Sequence, residues 1–204
     1  MKLEPSITRV VSALRPDASA SIPALISFLT LVDTWNRKID LTGARTPAAL
    51  ADVMIADALV MADEAFIPKG AHLLDVGSGA GGPAIPLAIV RPDVRVTMIE
   101  PLGKRVAFLR TAIGTLGLAS RVTAITGRIE LEDPKTDVSA DVTSARATFA
   151  PNEWRLAGLL LAPSVLVLTT PDEAPPGSAL RRDYRWPGSG APRALLRFDR
   201  DAVP

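Results

Sequence analysis

His72-Leu73-Leu74-Asp75-Val76-Gly77-Ser78-Gly79-Ala80-Gly81-Gly82-Pro83 is the stretch that decides the fold. Leu73, Leu74 and Val76 read as a short buried strand. The four glycines that follow make a tight turn. Pro83 then opens the apolar segment 84–90 as a helix, because a proline's missing N–H has no partner at a first helical position anyway. Pro86 still falls within the first turn. A strand, a glycine turn and a helix start make a site for an anionic or polar ligand: the backbone comes close, and the helix end offers free N–H groups.

Gly77, Gly79 and Gly82 fit the dinucleotide pattern G-x-G-x-x-G, which on its own is a weak signal. Glu100 ends the next apolar run, 94–99. A carboxylate at the end of a second parallel strand accepts both hydroxyls of an adenosine ribose, in NAD and in S-adenosyl-L-methionine (SAM) alike. Asp75, just before the first glycine, tips the balance to SAM, whose amino-acid end is cationic. An aspartate there also holds the turn by hydrogen bonds.

Outward from this turn the chain divides in two. Residues 1–14 read as a helix with Ile7, Val10, Val11 and Leu14 on one face, and 15–20 as a connector. Residues 22–39 form a stronger helix, with Leu25, Phe28, Leu29, Val32, Trp35 and Ile39 at helical spacing. Thr42 and Gly43 break it. Thr46 and Pro47 then cap and open a third helix reaching about residue 65. From 71 onward strands alternate with helices: strands 71–76, 94–99, 121–126, 141–145 and 165–169, helices 83–90, 103–116 and 151–161. This alternation predicts a parallel sheet covered on both faces. Residues 127–140 are a charged connection with room for one helical turn, and 171–177 a loop. Strands 180–186 and 193–198 flank the turn Pro187-Gly188-Ser189-Gly190 as a closing hairpin.

The bulk numbers set limits. The 204 residues are 48% hydrophobic, so a packed globule is expected. A net charge of +1 gives no bulk attraction to nucleic acid, so any RNA contact rests on a local basic patch. No cysteine is present, which excludes disulfides and thiolate metal sites and fits a cytoplasmic enzyme. No metal site is expected. The first residues lack an apolar signal core, and the apolar runs fall short of a membrane span, so no membrane partner is expected.

Several stretches, in order, resemble one family: the bacterial small-subunit rRNA guanine-N7 methyltransferases, RsmG or glucose-inhibited division protein B. Trp35-Asn36-Arg37-Lys38-Ile39-Asp40-Leu41-Thr42 is similar to its W-N-x-x-I-N-L-T, and residues 75–83 to its D-V-G-S-G-x-G-x-P-G. Leu102-Gly103-Lys104-Arg105-Val106-Ala107-Phe108-Leu109 matches its most specific run. Gly127-Arg128-Ile129-Glu130 resembles G-R-x-E, and Arg146-Ala147 resembles the end of S-R-A. The resemblance implies an α/β, Rossmann-like, SAM-dependent methyltransferase fold. A helical part (1–70) precedes a SAM-binding core (71–204) that ends in the hairpin, the whole being one compact domain. It also implies a product, S-adenosyl-L-homocysteine (SAH), and a partner, small-subunit rRNA or the 30S particle. The oligomeric state stays open.

By resemblance, cofactor contacts fall on Gly77, Gly82, Ile129, Glu130 and Arg146. The chemistry of the turn adds Asp75, Ser78, Gly79 and Glu100. Ile129 and Glu130 would present an N–H and a carboxylate to the adenine. Arg146 ends a strand on the cofactor side, where it meets a carboxylate or phosphate of a ligand or forms a structural ion pair. Lys104 and Arg105 begin a helix, where positive charge opposes the dipole unless a ligand or RNA phosphate relieves it. Trp186 offers a face for stacking on a base, or for packing. His72, the one histidine, reads as structural. No catalytic base is expected, since guanine N7 has a lone pair and no proton. Departures from the family cluster on the RNA side. Val53 and Met54 replace Arg-His, Ala58 replaces a serine, Ala145 replaces the serine before Arg146, and Thr169 and Thr170 stand where a lysine is usual. The alternative readings are therefore a methyltransferase acting on a small molecule or another RNA, and a non-catalytic SAM- or RNA-binding module.

Overall fold

The computed structural model describes residues 2–200; Met1, placed in the first expected helix, and residues 201–204 lie outside them. The sheet carries the predicted strands as β1 (His72–Val76), β2 (Arg95–Glu100), β3 (Val122–Thr126), β4 (Val142–Arg146) and β5 (Ser164–Thr169), all parallel. β6 (Leu180–Arg185) and β7 (Pro192–Asp199) form the hairpin. Their order is β3-β2-β1-β4-β5-β7-β6, with β7 antiparallel to both its neighbours. The chain enters at the centre, winds out through β2 and β3, and returns to β4 on the other side of β1. The crevice between β1 and β4 is therefore the switch point at which such sheets bind ligands.

Strand alternation feeds two cores. Leu73 packs with the N-terminal helices on one face. Leu74 and Val76 pack on the other with Trp154 of α7 (Pro151–Leu161). α5 (Ala84–Val90) and α6 (Gly103–Thr115) belong to the first face, where Val106, Leu109 and Ile113 are buried. Pro83 sits one residue before α5 as its cap rather than as its first residue. Residues 127–140 make turns and no helix, and the 171–177 loop begins with a short 3-10 turn, Pro171–Glu173.

The helical part differs from expectation where side chains compete for the backbone. α1 (Glu4–Leu14) leads into a 3-10 segment, Pro16–Ser21, in place of a plain connector. α2 (Ile22–Asn36) stops three residues early. The Asn36 side chain explains this: its Oδ1 accepts the Leu41 and Thr42 N–H groups at 2.9 and 3.0 Å, and its Nδ2 donates to the Thr42 carbonyl at 3.0 Å. Such bonds offer the chain an alternative to another helical turn. Trp35 meets Phe108 of α6 edge-on, with ring centres 5.7 Å apart. The stretch Pro16–Asn36 is, by length and composition, long and apolar enough to cross a membrane, contrary to the reading of the apolar runs above. In the fold its Leu25, Phe28, Leu29 and Val32 are buried against the rest of the core.

The third helix is three pieces in a row: α3 (Pro47–Ala51), a π-helical segment Asp52–Ala56, and α4 (Asp57–Met61). Thr46 caps it as predicted, accepting the Ala49 N–H at 3.2 Å. It ends before residue 65 because Asp63 accepts the Ala65 N–H and buried Arg91 takes the Ala62 carbonyl. Arg91 also pairs with Asp93 at 2.7 Å, which holds the Asp93 carboxyl well below the usual carboxylate range.

Candidate cofactor and substrate site

The glycine turn is held from three sides. The Gly77 and Ser78 N–H groups donate to the Ile99 carbonyl at 2.8 and 3.2 Å. The Ser78 hydroxyl reaches back to the Asp75 carbonyl at 3.1 Å. Glu100, 2% exposed, accepts the Gly79 N–H on Oε2 at 2.9 Å and the Leu102 N–H on Oε1 at 3.0 Å. Gly77 has φ +72°, and a Cβ there would run into the Thr148 side chain. A Cβ on Gly82 would press on the Met54 backbone at 3.0 Å. Both positions thus need glycine for shape as well as for ligand approach.

A cavity of about 500 Å³ opens over this turn. Gly77, Ser78, Gly79, Gly82, Glu100, Arg105 and Arg146 line it, with Leu41 and Thr42 from the segment that Asn36 pins. A smaller cavity of about 260 Å³ adjoins it past Gly77 and Pro101, walled by Ile99, Ile129, Glu130 and Phe149. Of the expected cofactor residues, eight therefore face one connected crevice. Asp75 does not line it. It lies beneath the turn, 2% exposed, accepting the Ser144 hydroxyl at 2.8 Å. Burial pushes its carboxyl up, against the hydrogen bond from Ser144. Glu130 is exposed and lies 3.8 Å from Arg128.

Arg146 reaches across the crevice floor. Its guanidinium donates to the Val53 carbonyl, to the Gly82 carbonyl at 2.8 Å and to Asp57 Oδ2 at 3.1 Å. The structural ion pair is thus present, at the cavity wall. Of the positions expected to meet substrate, Arg105 lines the cavity and donates to the Asp40 carbonyl at 3.2 Å. Lys104 is exposed and lines none of the cavities described here. Trp186 does not present a face to the cavity. Its Nε1 donates to Asp57 Oδ1 at 2.7 Å, and the Arg193 guanidinium covers its ring at 4.9 Å. His72 keeps to the far end of β1, its Nε2 2.8 Å from Thr97 Oγ1.

Three residues were missed from sequence. Asp57, fully buried, gathers Arg146, Tyr184 and Trp186. Asp52 accepts the Gly188 and Ser189 N–H groups at 2.9 and 2.8 Å and so docks the hairpin turn on the π-helical segment. Thr148 stands between the crevice and a further cavity. The available signal was an isolated carboxylate in an apolar helix, Ala56-Asp57-Ala58-Leu59, since a lone buried charge calls for a partner.

Strand order, glycine turn and strand-end carboxylate together define a Rossmann-like α/β fold with a ligand crevice at its switch point. Solved structures agree on the fold. An O-methyltransferase from Bacillus cereus, in complex with SAH, superposes with a TM-score of 0.58 at 17% identity, over 85% of this chain and 90% of its own. The human methyltransferase 10 domain containing protein gives 0.57 at 12% identity, over 85% and 97%. Residues 21–162 match the family described as GidB, rRNA small subunit methyltransferase G, and the chain belongs to that family. Ribosomal RNA small subunit methyltransferase G of Neisseria gonorrhoeae (strain NCCP11945) is 36% identical over 138 residues, which are 67% of this chain and 64% of the relative. The protein of that name from Anaeromyxobacter dehalogenans (strain 2CP-C) is 36% identical over 151 residues, 73% and 68%. The chain thus spans slightly under two thirds of the Neisseria relative's length.

Proposed function

We propose that this chain is a cytoplasmic SAM-dependent methyltransferase acting on guanine N7 of small-subunit rRNA, presented within the 30S particle. The observation that carries the reading is buried Glu100, lining a crevice at the β1/β4 switch point beside the glycine turn. Its carboxylate suits the ribose hydroxyls. The adjoining cavity beside Ile129 and Glu130 suits the adenine, and Gly77 to Gly82 the amino-acid end. When bound, SAM supplies an electrophilic methyl group, which the N7 lone pair takes as the carbon–sulfur electrons return to sulfur. The protein's own task is alignment and exclusion of water. Arg146 serves this by fixing the Gly82 carbonyl, and with it the turn. No residue need remove a proton.

The test uses 30S subunits from a strain lacking its own enzyme of this family. They are incubated with the protein and SAM, and 7-methylguanine is mapped by mass spectrometry. Methylation at one guanine is expected. Tight SAH binding without methylation of the particle would move the assignment to a small-molecule or other RNA substrate. The absence of both would favour a role without SAM.

A further inference from the structure

Beyond the Ala147–Thr148 segment lies another cavity, of about 480 Å³. The two residues line both it and the cofactor crevice. Ala147 holds φ 54°, the left-handed region that alanine seldom adopts. Backbone of this kind gathers at functional sites, where surrounding structure enforces it. The new cavity also has Glu153, Thr169, Glu173 and Arg193 in its wall. The hydroxyls of Thr169 and Thr170 donate to Glu173 Oε2, at 3.4 and 3.1 Å. Glu173, exposed at this rim like Glu153, is thus braced through Oε2, which leaves Oε1 for a ligand.

Building on the methyltransferase reading, we propose that this cavity is the subsite of the target base and that Glu173 and Glu153 read its Watson–Crick edge. Guanine carries two donors there, N1–H and the N2 amino group, matched to two carboxylates. Adenine would set an acceptor, its N1, against them. N7 lies on the opposite edge of guanine, so a base held by these carboxylates leaves N7 free for the shared Ala147–Thr148 wall. Arg193, the one cation in the wall, supplies its terminal Nη–H donors for O6. Two carboxylates against one guanidinium also favour a base that becomes cationic as its N7 is methylated.

The experiment uses reconstituted 30S particles carrying either guanine or inosine at the methylated position. Inosine lacks the N2 amino group and keeps N7. Wild-type enzyme is expected to lose about tenfold or more in kcat/KM on inosine, the usual scale for one well-paired base contact. Glu173→Gln and Glu153→Gln should each show a similar loss on guanine, and one of them, the variant of the carboxylate paired with the N2 amino group, should lose little further on inosine, which keeps N1–H. Calorimetry should show their SAH affinity unchanged, which establishes that both variants fold. Glu173→Gln and Glu153→Gln enzymes that both discriminate inosine as the wild type does, or a wild type that does not discriminate it, overturn the subsite. A wild-type enzyme inactive on both particles overturns the function itself, and the subsite with it.

Discussion

Glu100 combines two roles that substitution separates. It anchors the turn through Gly79 and the start of α6 through Leu102 and, in the function proposed above, offers acceptors to a ribose. Glu100→Ala removes all of these and should weaken SAH binding by about 1–3 kcal/mol, the scale of hydrogen bonds to a charged group. Glu100→Gln should lose less, because one acceptor oxygen remains. Calorimetry with SAH and NAD checks this; wild-type preference for NAD, or an alanine variant that binds SAH normally, rules the assignment out. Asp75 makes a different prediction. Its carboxyl is raised in the folded state by burial, so the folded protein holds this proton more tightly than the unfolded chain. Stability contributed by this group is therefore full below the unfolded carboxylate value and falls as pH rises through the raised one. Asp75→Asn keeps an acceptor for Ser144 and carries no charge to bury. Its urea midpoint relative to wild type should rise as pH increases across that window. A constant difference would mean that Asp75 titrates as in the unfolded chain.

At the scale of elements, the turn and the segment after β4 are fitted to one another. Gly77→Ala meets both a left-handed backbone and the Thr148 side chain. It should cost about 1–3 kcal/mol and abolish SAH binding. Adding Thr148→Ala removes the nearest atoms, so the double variant should recover part of the stability and leave the backbone term. Additive losses in urea melts would refute that contact. The turn was legible because its glycines stand together between apolar runs, and the five parallel strands were legible because each run is bounded by loop residues. The early stop of α2 was not, because it depends on where the Asn36 amide finds partners five and six residues on. The setting of Trp186 was less legible still: its partner Asp57 lies 129 positions away. Local periodicity carries no information about such a pair.

Across the whole molecule, Asp57 ties the helical part, β4 and the hairpin into one unit. Oδ2 accepts from Arg146; Oδ1 accepts from Tyr184 at 2.6 Å and Trp186 at 2.7 Å. Burial, and then the Asp57 carboxylate, push the Tyr184 phenol well above its ordinary value, so the phenol remains a donor at any working pH. Asp57→Ala strands a guanidinium that is 13% exposed and leaves two further donors unpaired, at an expected cost of about 3–5 kcal/mol. Asp183→Ala gives the contrast, because the Arg181–Asp183 pair is about half exposed and such pairs contribute at most about 1 kcal/mol. Since Arg146 also holds the Gly82 carbonyl, the Asp57 variant should lose SAH affinity although Asp57 does not line the cofactor crevice. Urea melts, tryptophan emission and SAH titration on Asp57→Ala, Arg146→Ala and the double variant separate the terms. The double variant should cost less than the sum of the two, because neither partner is then left buried alone. Strict additivity, or an Asp57→Ala variant as stable as Asp183→Ala, would show that the three parts hold together without this carboxylate.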